Sequence, residues 1–165
     1  MINDFIALGF AIGVLGNLLW ASLHDLKSRT IPKLSVIVIY GLVMGYLIFA
    51  EKDLTEASIC FMFTFITFLC LWAISFGNFG LGDVLILAAL GWMVADIGLL
   101  KAFLIVLGVL TIPYGLFCYW FYRKEAALYK KYSNGKQPYL YPYMPIVFFT
   151  TMLYIVIPSI FTSIF

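Results

Sequence analysis

Two acidic residues stand where an otherwise apolar chain has no evident need of a charge. Asp25 lies in Ala21-Ser22-Leu23-His24-Asp25-Leu26-Lys27-Ser28-Arg29-Thr30-Ile31-Pro32, and Asp83 ends Phe76-Gly77-Asn78-Phe79-Gly80-Leu81-Gly82-Asp83. Two carboxylates sharing a partly dehydrated site cannot both ionise easily, so one keeps its proton near neutral pH. Such a pair supplies a general base that activates water and a general acid for a leaving amine, with no covalent intermediate. The chain holds no rival hydrolytic set. Its one histidine builds no histidine–nucleophile–acid triad at a plausible site, and the ligand pattern of a zinc centre is absent. His24 adjoins Asp25, but adjacent helical residues point apart, which makes it an interfacial residue. Cys60, Cys70 and Cys118 lie in apolar runs without a CxxC pair and read as small buried side chains. No metal and no cofactor are expected.

Each aspartate also has an ordinary structural use. Asp25 can pair with Lys27 or Arg29 at the end of a helix, and Asp83 can cap the start of one. Two features favour more than that. On a helix, Asn17, Ala21, Ser22 and Asp25 form a small, polar stripe that lipid would penalise, so it should face protein. Before Asp83, Gly77, Gly80 and Gly82 allow close backbone approach. No GK[ST] follows them, which excludes a phosphate loop.

The elements that must position this pair are set by composition. The chain has 165 residues, 64% apolar and 11% charged, against about 25% charged in an ordinary soluble domain. Mean hydropathy is +1.06. There is too little polar surface for a soluble fold and too much apolar content for disorder. A net charge of +2 leaves no footprint for nucleic acid. The expectation is an all-α polytopic membrane bundle with six transmembrane helices, over Phe5–His24, Leu34–Ala50, Ala57–Phe76, Val84–Ala95, Leu99–Tyr122 and Tyr143–Phe165. Each span takes about 20 residues, so residues 1–165 are expected to form a single integral membrane domain. The fourth segment is short and would tilt or borrow from its flanks. The first opens on Met1-Ile2-Asn3-Asp4, without a basic leader, and reads as a retained helix rather than a cleavable signal. Gly9/Gly13 and Gly41/Gly45 have GxxxG spacing, suited to packing inside the bundle.

Charge then orients the spans. Lys27, Arg29 and Lys33 lie in loop one; Arg123, Lys124, Lys130, Lys131 and Lys136 lie in loop five. The even loops carry Glu51, Lys52, Asp53 and Glu56, then Asp96 and Lys101. By the positive-inside rule the odd loops are cytoplasmic and both termini lie outside. That brings Asp25 and Asp83 to the same membrane face at similar depth. Loop five, with tyrosines at 122, 129, 132, 139 and 141, reads as an anchor to anionic lipid. Its first half would extend helix five up to Ser133-Asn134-Gly135.

Three motifs together resemble a known family. Gly80-Leu81-Gly82-Asp83, followed by Leu87-Ala88-Ala89-Leu90-Gly91, looks like the GxGD segment of type IV prepilin peptidases and archaeal preflagellin peptidases. Asp25 with Arg29, Ile31 and Pro32 resembles that family's first aspartate motif. Pro142-Tyr143-Met144-Pro145 is similar to its Pro-aromatic-x-Pro segment. The resemblance implies a membrane aspartic endopeptidase that removes a basic leader from prepilin-like protein substrates at the cytoplasmic face. Asp25 and Asp83 would be catalytic, with Gly80, Gly82, Pro142 and Pro145 at the substrate. The partners implied are that substrate and the lipid bilayer. The CxxC domain of larger members, associated with N-methylation, is missing, so neither methyl transfer nor bound zinc is expected. Many relatives have Lys where this chain has Leu85, and Asn where it has Lys33. Two alternatives stand beside this reading. A presenilin-like protease would need a Pro-Ala-Leu segment, which is absent; an ion-binding transporter or assembly subunit would place its acids near the membrane midplane.

Overall fold

The structure is a computed structural model that describes residues 2–28, 30–74, 80–132 and 142–157. Arg29, Phe76 to Phe79 and the side chains expected of loop five lie outside the described residues. All regular structure among those residues is helical: α1 (Ile2–Ser28), α2 (Lys33–Phe49), α3 (Leu54–Ile74), α4 (Leu81–Val94), α5 (Ile97–Tyr132) and α6 (Met144–Val156). Each expected apolar segment corresponds to one helix, and α5 continues as helix well past its apolar part. Pro32 and Gly80 precede α2 and α4 in extended conformation, which starts those helices abruptly. Glu51 and Ala95, at φ 53° and 49°, take the left-handed conformation that turns the chain after α2 and α4.

Ile2–Ser28, Leu54–Ile74 and Ile97–Cys118 are long and apolar enough to cross a membrane. The other three helices are shorter. With 14 residues, α4 extends about 21 Å at a rise of about 1.5 Å per residue. Its surroundings explain its composition. It packs against α2, α3, α5 and α6, and Val84, Ile86, Leu87, Ala88, Ala89, Leu90, Met93 and Val94 are all buried. It is apolar all round because protein encloses it. In contrast, α1, α3 and α5 turn large apolar side chains outward, including Ile12, Leu19, Met62, Phe63, Ile66, Val109, Ile112 and Leu116. Apolar surface on that scale suits lipid rather than water. Cys70 corrects an expectation: it is exposed, while Cys60 and Cys118 are buried. Its place on the outward face of α3 gives the thiol the same apolar use without burial in protein.

Small residues set how closely the helices approach. A Cβ on Gly13 would lie 3.0 Å from Leu42, and one on Gly45 would enter the Phe10 ring, so these two glycines close α1 on α2. Gly9 and Gly41, their GxxxG partners, face open space. Between α3 and α4, a Cβ on Gly91 would meet the Thr64 side chain and stand 3.0 Å from the Cys60 carbonyl oxygen. Phe61 and Trp92, with ring centroids 5.6 Å apart, and Tyr40 beside both join α2, α3 and α4. The Tyr40 hydroxyl donates to the Leu85 carbonyl at 3.1 Å.

Polar contacts sort the two ends of the bundle. Asn3 Nδ2 donates to Glu51 Oε1 at 3.1 Å, and the Ile97 N–H donates to Glu56 Oε1 at 3.2 Å. The starts of α1, α3 and α5 therefore gather with the end of α2. The opposite end collects the finish of α1 and the starts of α2, α4 and α6. The packing predicts a contrast between two glycines. Gly91→Ala should cost about 1–3 kcal/mol through overpacking, whereas Gly41→Ala should be neutral or stabilise by up to about 1 kcal/mol. Unfolding of the purified protein in detergent micelles measures both.

Candidate active site

The polar stripe of α1 faces the bundle as expected: Asn17, Ala21, Ser22 and Asp25 are all buried. Two of its members find backbone acceptors. Asn17 Nδ2 donates to the Ser35 carbonyl of α2 at 2.9 Å, and Ser22 Oγ donates to Leu18 O at 2.7 Å. Asp25 completes the stripe, 6% exposed. Its Oδ2 accepts the backbone N–H of Met144 at 3.1 Å. Met144 is the first residue of α6, so the carboxylate of one helix sits at the positive end of another.

Asp83 is the third residue of α4 and is 8% exposed. Its Oδ2 turns back to accept the Gly80 N–H at 3.0 Å. Its Oδ1 is buried and has no hydrogen-bond partner among the described residues. Such an oxygen either holds a proton or awaits a donor. Asp25 and Asp83 stand close enough for each to act on the other's charge. The ordinary use expected of Asp83, capping a helix start, is thus present, and half of its carboxylate remains beyond it.

The glycines before Asp83 have distinct tasks. A Cβ on Gly80 would lie 2.7 Å from Asp83 Oδ2, where the carboxylate folds back. A Cβ on Gly82 would lie 3.2 Å from both Cβ and Cδ1 of Ile31. Gly80 therefore makes room for the acid, and Gly82 lets the α4 start rest on the Ile31-Pro32 turn that follows α1. The two aspartate motifs are packed directly on each other. Pro142 and Pro145 are also buried, flanking the residue that donates to Asp25.

Some neighbours were not singled out by sequence reasoning. The Tyr143 side chain hydrogen-bonds Thr111 of α5 and lies within reach of the Asp83 charge. Thr111 had no signal beyond being a hydroxyl in an apolar run. The Met144 N–H had only an indirect one, the proline that follows it. His24 is exposed, and its Nδ1 lies 2.8 Å from Thr30 O and 2.7 Å from Ser28 Oγ, in the turn leaving α1. Leu85 is partly buried and Lys33 exposed. Among the described residues, no three His, Cys, Asp or Glu side chains converge as metal ligands would. The arrangement offers two enclosed carboxylates, each tied by Oδ2 to a backbone N–H, that can exchange protons with something placed between them.

The sequence model of the type IV leader peptidase family matches residues 12–162, a stretch that contains both aspartates and both prolines. No curated protein and no solved structure matches the chain.

The contact between motifs is open to a double-mutant cycle. Gly82→Ala should lose about 1–3 kcal/mol of stability. In an Ile31→Ala background the loss should shrink, leaving a coupling of about 0.5–3 kcal/mol. Unfolding of the four variants in micelles measures it; strict additivity would show that Gly82 does not serve Ile31.

Proposed function

The chain belongs to the type IV leader peptidase family, and from that premise we propose a membrane-embedded aspartic endopeptidase that uses Asp25 and Asp83 as its catalytic pair. Membership itself implies a protease acting on type IV prepilin-like precursors. The finer reading is supported above all by one observation: two buried carboxylates meet where α1 ends and α4 begins. In this reading one carboxylate takes a proton from water. The resulting hydroxide equivalent adds to the carbonyl carbon of the scissile peptide bond. The other carboxyl passes its proton toward the departing amine, and the C–N bond breaks. The pair acts as a unit sharing one proton.

The same reading places residues 1–165 in one membrane peptidase domain crossing six times, with the termini outside. The basic loops one and five then lie in the cytoplasm, and the site opens to the face where a precursor's leader is presented. A basic leader is drawn to an acidic pair, and the substrate's apolar helix continues into lipid. Gly80, Gly82, Pro142 and Pro145 form the tightly packed wall against which the scissile segment lies. Ion translocation gains less support, since both acids gather at one end of the bundle rather than halfway along it.

A cleavage assay tests this. Membranes carrying the protein, or its Asp25→Asn or Asp83→Asn variant, are mixed with a pilin-like precursor and the product mass is read. Wild type should remove the leader, and each variant should be slower by about 10³-fold or more. Undiminished cleavage by either variant would sink the two-aspartate mechanism.

A further inference from the structure

Every N–H in the first turn of α6 can be accounted for. The Met144 N–H donates to Asp25 Oδ2 at 3.1 Å. Pro145 has none. The N–H groups of Ile146 and Val147 both turn back to the Tyr143 carbonyl, at 3.2 and 3.5 Å. Helix starts ordinarily leave several donors pointing along the axis, and a carboxylate placed there accepts from two of them. Here it receives one. Proline in a first turn is common because its φ suits the helix, and that use applies to Pro145 as well. It does not account for the acid: this start is capped by a buried carboxylate from a helix 119 residues away in sequence, in a position where one extra N–H would change its hydrogen bonding.

We propose that Pro145 is a positioning residue for Asp25, withholding the N–H that would follow that of Met144, so that α6 grips the carboxylate by a single donor. A second bond would stabilise the ionised form and blunt it as a proton acceptor. The single bond fixes the orientation of the carboxylate while sparing its basicity. Asp83 is held in the same way, by one backbone N–H on Oδ2 at the start of α4, so the two acids are matched in support. The titratable groups around Asp25 are Asp83 on α4, Tyr143 before α6, Lys33 at the start of α2, and His24 and Lys27 on α1 itself. None of these is altered by a change at Pro145.

The inference rests on the aspartic peptidase reading, and its test keeps the two separable. The pH dependence of kcat/KM for leader cleavage is measured for wild type, Pro145→Ala and Asp25→Asn. Pro145→Ala restores the missing donor, and the acid limb should move down by about one pH unit. A Pro145→Ala enzyme with a lowered rate but an unmoved limb would show that Pro145 only starts the helix, and would overturn the proposal. Should that variant fail to fold, the reciprocal change decides. Replacing Met144 by its α-hydroxy analogue through nonsense suppression turns the donating amide into an ester, with the side chain unchanged. The acid limb should then move up by about one unit, and an unmoved limb overturns the proposal. Failure of the wider reading has a different signature, namely Asp25→Asn cleaving like wild type.

Discussion

A carboxylate withdrawn from water costs several kcal/mol unless donors replace its hydration, and this bundle withdraws two of them into one place. The start of a buried helix carries the opposite deficit, N–H groups without acceptors. The fold sets one deficit against the other. Asp25 takes the first N–H of α6, and Asp83 takes the N–H of the residue before α4. Helix direction follows from this pairing. Only if α4 and α6 begin where α1 ends do positive helix termini meet the acids. The alternation of the helices is thus tied to the chemistry of the site as well as to short loops.

Close approach supplies the rest. Gly80 leaves the space into which Asp83 folds, Gly82 lets α4 settle on Ile31, and Gly91 draws α3 onto α4 beside Thr64. These contacts, with the Tyr40 hydroxyl on the Leu85 carbonyl, hold α4 from several sides along its length. A short helix enclosed in this way has little freedom to tilt or slide. Asp83, at its first turn, inherits that fixity. The precision of the acid comes from backbone packing, since its own side chain has a single anchoring bond.

Much of this was legible in the chain because hydropathy and charge are properties of position along a line. The helices, their boundaries near Pro32 and Gly80, the buried stripe from Asn17 to Asp25 and the gathering of both acids at one end all follow from such patterns. What escaped depends on which way a residue faces across space. Gly9 and Gly13 share a motif, yet only Gly13 is packed by a neighbour. Cys70 sits in the same kind of apolar run as Cys60 but looks outward. An all-apolar segment such as α4 reads alike whether lipid or protein surrounds it. The partner of Asp25 was the least visible, because a backbone N–H is common to almost every residue. Only Pro145, by lacking one, marks the place.

The contact that seats Asp25 joins residues separated by 119 positions, and that separation governs when the site can exist. As the chain is synthesised and inserted, α1 emerges first and waits while α2 to α5 are made. Its carboxylate meets a donor at that place only when α6 arrives. The two aspartate motifs can already lie together, Gly82 upon Ile31, but the acid of α1 is not yet gripped. Completion of the fold and acquisition of the finished site are therefore a single late event in biosynthesis. An unfinished chain is left with a charged, unsettled helix end that quality control can recognise.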